Sequence, residues 1–192
     1  MTVKTIYLLS GWAGSGKDYI ATTQFPHATR FAFGDVLKQH VSEASGLPLT
    51  YFNDRALKDT PLDTVFALTG DRVTPRDLLL NEARIARAFD KDVYAKVVLA
   101  QILGDVSSSV FVVTDWRYKR EFEFLHTQLQ LSQSSQLSDT SISYRIYKCR
   151  VVRKPKQTVA EVSNDETEHD LDNEPMDWVI VNSVTSKSEK QD

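Results

Sequence analysis

Apolar positions along the chain follow two patterns, short continuous runs and longer stretches with helical spacing. Continuous runs predict strands at residues 5–9, 110–114, 144–152 and 178–181, and a further short run lies at 29–33. The run at 110–114 has no polar residue before its last position, which is typical of a strand buried on both faces. Because strand and helix patterns alternate, we predict a central parallel sheet between layers of helices, the three-layer α/β/α class.

Helical spacing predicts the elements that connect these strands. The predicted helices are residues 17–23, 35–44, 92–103 and 118–129, together with a long helix that opens at Thr74 and Pro75. Thr74 is suited to cap the first turn, and Pro75 to the first helical position, where its missing N–H would have no partner. Gly104 is expected to stop the helix that precedes it.

Three polar stretches are predicted to lie outside the core. Residues 131–143 are rich in serine and glutamine, which favours an exposed loop. Residues 154–177 are polar and acidic and predict a mobile surface segment, and the tail 185–192 is expected to be disordered. We therefore expect a single domain over residues 1–184.

The composition of the 192-residue chain, 41% hydrophobic and 26% charged, is typical of a globular protein. Its net charge of −3 gives no basic excess for binding a nucleic-acid polymer. No apolar run approaches the roughly twenty residues that span a bilayer, and the N-terminus leads directly into a strand, so neither a membrane partner nor a signal peptide is expected. Oligomeric state stays open, with a homodimer among the alternatives.

The cysteine and histidine content of the chain bears on its redox compartment and on metal binding. Cys149 is the only cysteine, which excludes an internal disulfide and favours a reducing, cytoplasmic location. It lies among residues typical of strands, so we expect a buried thiol and not a nucleophile. The four histidines show no metal-ligand spacing.

A glycine-rich turn follows the first predicted strand and carries the spacing G-x-x-x-x-G-K. Its residues include Gly11, Ala13, Gly14, Ser15, Gly16 and Lys17, and Asp18 follows them. Glycines let backbone N–H groups converge on a polyphosphate, and the start of the next helix adds partial positive charge. Lys17 is expected to reach the terminal phosphates, so the segment predicts a P-loop that binds a nucleoside triphosphate. Asp18 stands where Ser or Thr usually contacts Mg²⁺.

A second group of candidate residues follows the buried run at 110–114. Ligands of open α/β sheets lie at the carboxyl ends of the strands, where both the P-loop and Asp115 are predicted to be. An acid there is suited to hold Mg²⁺, directly or through water. Arg117 can bind a phosphate with its forked guanidinium, and Glu121, one turn later, can hold that arginine in position.

The order of these segments resembles that of the deoxynucleoside monophosphate kinases of phages and viruses, to which the animal-type phosphomevalonate kinases are related. The matching segments are residues 10–19, 33–38, 56–62, 74–79, 115–121, 150–153, 164–168 and 177–182. The family carries an aspartate after the P-loop lysine, and Asp18 occupies that position here. The family's D-x-R-x-x-x-E pattern is similar to residues 115–121. The resemblance covers nearly the whole chain.

The resemblance implies the fold of the P-loop NTPases, with a small helical acceptor-binding lobe at about 34–92 and a lid at about 153–172. It implies ATP with Mg²⁺ as the donor and a deoxynucleoside 5′-monophosphate as the acceptor, both small-molecule partners. Tyr19, Arg150 and Asn182 join the P-loop residues in binding ATP. The implied catalytic residues are Lys17, Asp115, Arg117 and Arg153, and Asp115 and Asp18 are the implied Mg²⁺ ligands, the second through water. The acceptor-binding candidates are Lys38 and Arg76 for its phosphate, Arg117 and Glu121, and Tyr94 as a stacking surface for its base.

Two departures from the family pattern leave alternatives open. Ala83-Arg84 stands where phage members have Gly-Thr, and Asp165 replaces the lid histidine. Phosphomevalonate kinase is one alternative function, although Ala13-Gly14 occupies P-loop positions where that enzyme has basic residues. A nucleotide-binding regulatory module without kinase activity is the other. The preferred base is not defined by these residues.

Overall fold

The computed structural model describes residues 2–62, 72–134, 142–154 and 169–183. The chain forms two compact units: Met1–Ala32 together with Gln101–Asp192, and Phe33–Ala100. The predicted acceptor-binding lobe, residues 34–92, falls within the second unit. The predicted lid lies largely outside the described residues, which include only 153, 154 and 169–172 of it.

The first unit is built on a parallel sheet. Its strands are β1 (Thr2–Ser10), β2 (Thr29–Phe31), β3 (Val110–Val113), β4 (Ile142–Arg153) and β5 (Trp178–Asn182). They pair in parallel in the order β2-β3-β1-β4-β5, with β1 in the centre. Ile6, Leu8 and Leu9 on β1 are fully buried, because a central parallel strand is covered on both faces. The predicted α/β class with a parallel sheet is confirmed.

Seven helices accompany the strands in the described residues. They are α1 (Lys17–Gln24), α2 (Phe33–Ser45), α3 (Thr50–Asn53), α4 (Arg55–Lys58), α5 (Pro75–Phe89), α6 (Val93–Gly104) and α7 (Lys119–Ser134). None of those in the described part of the chain is both long and apolar enough to cross a bilayer.

A buried cluster seats α1 on the sheet. Ile20 and Ala21 of α1 pack with Leu9, Val112, Cys149 and Val151 of three neighbouring strands. Cys149 is buried, as predicted, and burial followed by the nearby Asp177 charge raises the pKa of its thiol to about 12. A thiol protonated at neutral pH is a poor nucleophile, so Cys149 belongs to the core.

The second unit contains short and long helices around its own apolar cluster. Val41, Phe52 and Leu79 are buried there, one each on α2, α3 and α5. The predicted cap of α5 is confirmed, since Asp77 N–H donates to the Thr74 hydroxyl and the Asp77 carboxylate accepts from Thr74 N–H. Pro75 opens the helix.

Three predicted boundaries differ from the structure. The predicted loop 131–143 is partly regular, because α7 continues to Ser134 and β4 already begins at Ile142; residues 135–141 lie outside the described residues. The short run 29–33 is divided between β2 and the start of α2. Helices α3 and α4 were not predicted, since each spans only four residues and shows no full helical period.

The predicted mobile segment 154–177 is packed at its described end. Residues 169–174 form a turn in which Leu171 is only 3% exposed. Residues 155–168 and the predicted disordered tail, 185–192, lie outside the described residues.

Candidate active site

The glycine-rich loop lies between the carboxyl end of β1 and the start of α1 and adopts backbone angles that favour glycine. Gly11 has φ 148° and Gly16 has φ 88°, both in the left-handed region. A Cβ on Gly11 would lie 2.4 Å from the Val151 carbonyl oxygen, and one on Gly16 would lie 2.2 Å from Asn182 Nδ2. A side chain at Gly11 would therefore displace the loop from β4, and one at Gly16 would displace the Asn182 side chain.

The loop presents groups suited to an anion. Gly16 caps α1 without a side-chain hydrogen bond, so no side chain occupies the first-turn N–H groups as a cap. Ser15 is 1% exposed, and its hydroxyl has no hydrogen-bond partner among the described residues. Lys17 Nζ donates to the carbonyl oxygens of Gly11, at 2.5 Å, and Trp12, at 3.3 Å, which holds the ammonium across the loop. Backbone amides, a buried hydroxyl and a cation are the donors that a polyphosphate needs.

Three further predicted donor-site residues lie in different environments. Asn182 is buried and its Nδ2 donates to Ser15 O at 3.0 Å, so this side chain supports the backbone of the loop. Asp18 is on the first turn of α1 with 80% of its side chain exposed, and it pairs with Arg30 Nη2 at 3.3 Å. Tyr19 is half exposed on the same turn.

The turn after β3 brings Asp115 to the same sheet edge as the P-loop. Thr114 N–H donates to Phe31 O, and Trp116 N–H donates to Leu9 O, each at 3.1 Å. The two bonds fix the residues on either side of Asp115 to β2 and β1. Because Leu9 lies two residues before Gly11, Asp115 stands beside the strand that leads into the loop.

Glu121 fixes the backbone that carries Arg117. Its Oε2 accepts from the N–H groups of Arg117 and Tyr118, each at 3.1 Å, and the residue is only 8% exposed. We predicted that Glu121 holds Arg117 in position, and in the structure its carboxylate contacts the main chain of that residue. A carboxylate at the third position of a helix reaches the N–H groups before the first turn, which explains this arrangement.

The carboxyl end of β4 contributes two arginines. Arg150 Nη2 donates to Asp172 Oδ1 at 2.7 Å, and its guanidinium lies 5.8 Å from the centre of the Trp12 ring. Arg153, the other predicted arginine, pairs in register with Asn182 of β5 and is half-buried. Both strand positions follow Cys149, which is paired with Leu9 of β1, so the arginines lie towards the P-loop end of the sheet.

The three remaining predicted acceptor residues lie in the second unit. Lys38 Nζ pairs with Asp35 Oδ1 at 3.1 Å. Arg76 pairs with Asp59 through Nε, at 2.6 Å, and Nη2, at 3.1 Å. The hydrogen bond from Arg76 lowers the pKa of Asp59, so this carboxylate is charged at neutral pH. Both cations are therefore already oriented by an acid.

Tyr94, predicted as a stacking surface for the acceptor base, has a buried ring. Tyr94 is 5% exposed, and the Arg87 guanidinium lies 5.2 Å from its ring centre. A base could stack on this ring only after the packing around it had changed. The sequence placed Tyr94 on a helix without indicating which face it occupies.

Trp12 and Asp172 contact predicted site residues, and Asp170 contacts the start of α7 close to Arg117, but none of the three was among the candidates. Trp12 Nε1 donates to Asp172 Oδ1 at 3.3 Å, and Asp170 Oδ2 accepts from Lys119 N at 2.8 Å. These partners are far apart in sequence, so neither residue spacing nor helical period could connect them. The only local signal was that Trp12 stands inside the P-loop.

The arrangement defines a class of fold. A parallel sheet in the order β2-β3-β1-β4-β5, with a P-loop between its central strand and α1 and flanking helices, is a P-loop kinase-like α/β fold.

Comparisons with known proteins add little to this assignment. No protein-family model matches the chain, and no curated protein matches it. Among solved structures, the chain is similar to the crystal structure of a fungal RNA kinase, with 14% identity and a TM-score of 0.39 over 99% of this chain and 79% of that one. Similarity at this level does not bear on activity.

Proposed function

We propose that this protein transfers a phosphoryl group from ATP to a deoxynucleoside 5′-monophosphate, giving the diphosphate. The observation that carries the proposal is the hydrogen bond from Trp116 N to Leu9 O, which brings the turn with Asp115 and Arg117 beside the strand entering the P-loop. A donor-phosphate loop, an acid and an arginine at one sheet edge are the groups that phosphoryl transfer uses.

The chemistry requires charge neutralisation more than a covalent step. Donor and acceptor phosphates repel each other, so cations must gather between them. Lys17 serves the donor, and Arg117 is suited to bridge donor and acceptor because Glu121 fixes its backbone. No general base is needed, since the attacking phosphate oxygen of the acceptor is already ionised.

Mg²⁺ is expected to accompany ATP. The ion neutralises phosphate charge when it is bound, and Asp115, with Asp18 through water, would hold it. In the described residues no three His, Cys, Asp or Glu side chains come together as a metal cluster. One or two carboxylates suffice for an ion that binds chiefly to phosphates and water, so the available residues fit this role.

The acceptor assignment rests on the resemblance of residues 33–38, 56–62 and 74–79 to the deoxynucleoside monophosphate kinases. Lys38 and Arg76 are the proposed phosphate ligands. The acceptor phosphate would replace the present carboxylate partner of each cation, or would share the cation with it. Both ion pairs are partly exposed, and such pairs are weak in water. The proposal makes no use of Tyr94.

A coupled assay of ADP release over a panel of acceptors tests the proposal. The panel contains the four deoxynucleoside monophosphates, their ribose counterparts and phosphomevalonate, with a reaction lacking acceptor as the control. Turnover with at least one deoxynucleoside monophosphate is the expected result. Turnover with phosphomevalonate alone would instead identify the related enzyme, and ATP binding without any transfer would identify a regulatory module.

A further inference from the structure

Residues 169–174, here called the return turn, connect the segment after β4 to β5. Backbone bonds from Asp172 N to His169 O, at 3.0 Å, and from Glu174 N to Leu171 O, at 3.1 Å, define the turn. The Leu171 side chain is buried, which anchors the turn. The two acids that flank this leucine contact different parts of the candidate site.

Asp172 contacts the donor side. Its Oδ1 accepts from Trp12 Nε1, at 3.3 Å, and from Arg150 Nη2, at 2.7 Å, while its Oδ2 lies 2.8 Å from His169 Nδ1. Trp12 belongs to the P-loop, and Arg150 comes from β4. One carboxylate therefore holds a loop residue and a strand residue in a fixed relation, with the guanidinium over the indole ring.

Asp170 contacts the side of the site that carries Arg117. Its Oδ2 accepts from the backbone N–H of Lys119, the first residue of α7, at 2.8 Å. Glu121 accepts from the N–H groups of Arg117 and Tyr118, the two residues before Lys119. The two carboxylates together satisfy three consecutive N–H groups at the start of α7, which fixes the direction in which the chain passes from Asp115 through Arg117 into the helix.

We propose that the return turn is a positioning element, in which Asp172 orders Trp12 and Arg150 for ATP and Asp170 orders the start of α7 behind Arg117. The inference rests on the proposed function, because it assigns to the turn the alignment of the donor with the residues that act on the transferred phosphate. Neither acid is a catalytic residue, since each acts through the groups that it binds.

The charge of Asp172 supports a positioning role. Burial alone would raise the pKa of this carboxyl, but hydrogen bonds from His169, Arg150 and Trp12 outweigh burial and lower the pKa. The carboxylate is thus anionic at neutral pH, beside a loop that is built for another anion. A negative charge here opposes nucleotide binding unless it is matched by Arg150, so its benefit lies in the arrangement that it imposes.

The chain offers a matched control in the same turn. Glu174 pairs with Lys148 Nζ at 2.9 Å, a different partner from those that Asp172 and Asp170 hold. Glu174→Gln therefore removes an ion pair of the turn without disturbing the donor side. Asp172→Asn likewise removes one negative charge from the turn, and Asp170→Ala removes the acceptor for Lys119 N.

Calorimetry with ATP and steady-state kinetics with the best acceptor of the panel separate the three variants. We expect Asp172→Asn to raise the Kd for ATP about tenfold, which is the size of a lost charge-assisted hydrogen bond. Asp170→Ala should lower kcat about fivefold and leave that Kd within about a factor of two. Glu174→Gln should change neither quantity by more than about twofold. Trp12→Phe keeps an aromatic ring but removes the N–H that donates to Asp172, and it should also raise the Kd for ATP. This variant tests the same contact if Asp172→Asn fails to fold.

Equal ATP affinity in Asp172→Asn, Trp12→Phe and the unmodified protein would overturn the positioning role while leaving the proposed function intact. The same loss in Glu174→Gln as in Asp172→Asn would also overturn it, because the turn would then act only through general stability. If the unmodified protein bound no ATP, the proposed function would fail and the inference with it.

Discussion

Lys17 is the lysine of the P-loop motif, and the structure defines the contacts of its side chain. Its ammonium is held by the carbonyl oxygens of Gly11 and Trp12, within the loop that the proposal assigns to the donor phosphates. We expect Lys17→Ala to lower kcat/KM for transfer by at least about a hundredfold, because a preorganised cation at the phosphates is lost. The rate of ADP release with the best acceptor measures this effect.

The control for this substitution is Lys96→Ala. Lys96 of α6 is about half exposed and pairs with Asp90 in the connection before that helix, so its loss should leave the rate unchanged within about twofold. Circular dichroism should show folded protein for both variants. Near-normal transfer in Lys17→Ala would contradict the assignment of the donor loop.

Arg117 tests the other half of the site. Truncation in Arg117→Ala is expected to remove about 3 kcal/mol of transition-state stabilisation, seen as about a hundredfold lower kcat/KM. Steady-state kinetics with Arg120→Ala, a change at an exposed neighbouring arginine, provides the comparison. If the two variants were equally active, Arg117 would have a structural role only.

At the residue scale, sequence defined the local chemistry and missed the long-range contacts. The spacing of Gly11, Gly16 and Lys17 predicted the phosphate loop, because each residue acts through a backbone only a few positions away. Asp172, by contrast, meets Trp12 across 160 positions of sequence. A carboxylate in a polar, acidic stretch carries no local signal of such a partner, so only the folded chain could identify it.

At the scale of elements, the capping box of α5 contributes to stability in a pH-dependent way. Hydrogen bonds from the Thr74 side chain and then from its backbone lower the pKa of Asp77. A carboxyl with a lowered folded pKa stabilises the protein above its unfolded pKa of about 3.9, and this contribution is lost as the pH falls through the folded value. The stability lost on removing the Thr74 hydroxyl should therefore depend on pH.

We expect Thr74→Ala to reduce the free energy of unfolding by about 1 kcal/mol at pH 7, the usual effect of losing an N-cap. The difference from the unmodified protein should shrink below about pH 4, as Asp77 becomes protonated. Urea unfolding at several pH values measures it, with Thr74→Ser, which keeps the hydroxyl, as the control. An unchanged difference at pH 3 would show that Asp77 takes no part.

The elements predicted best are those that are buried on a regular period. The strand at 110–114 and the helix opening at Thr74 were predicted within one residue, because an unbroken apolar run and a Thr-Pro helix start are local features of the sequence. The end of α7 was missed, since its last residues are Leu, Ser and Gln, a composition that favours a loop. In the structure the hydroxyls of Ser132 and Ser134 instead donate to carbonyl oxygens of the preceding helical turn.

At the scale of the whole molecule, net charge gives no help in attracting nucleotides. The chain carries a formal charge of −3, and the proposed substrates are anions as well. Long-range attraction is therefore expected to contribute little, and affinity must arise from groups within the site. The backbone N–H groups of the loop, Lys17 and the arginines of β4 are the available sources.

Binding of ATP should accordingly raise the free energy of unfolding through contacts within the site. A ligand at a concentration of about 100 times its Kd stabilises the state that binds it by about 2.7 kcal/mol. For a chain of this size that corresponds to a rise in Tm of about 5–10 °C. Thermal unfolding with and without ATP and Mg²⁺ measures the shift, and Lys17→Ala should lose most of it. The shift in Tm requires binding of ATP but not transfer, so it separates a failed donor site from a wrong choice of acceptor. No shift in the unmodified protein would contradict the assignment of the donor loop. A full shift without turnover would contradict only the acceptor assignment.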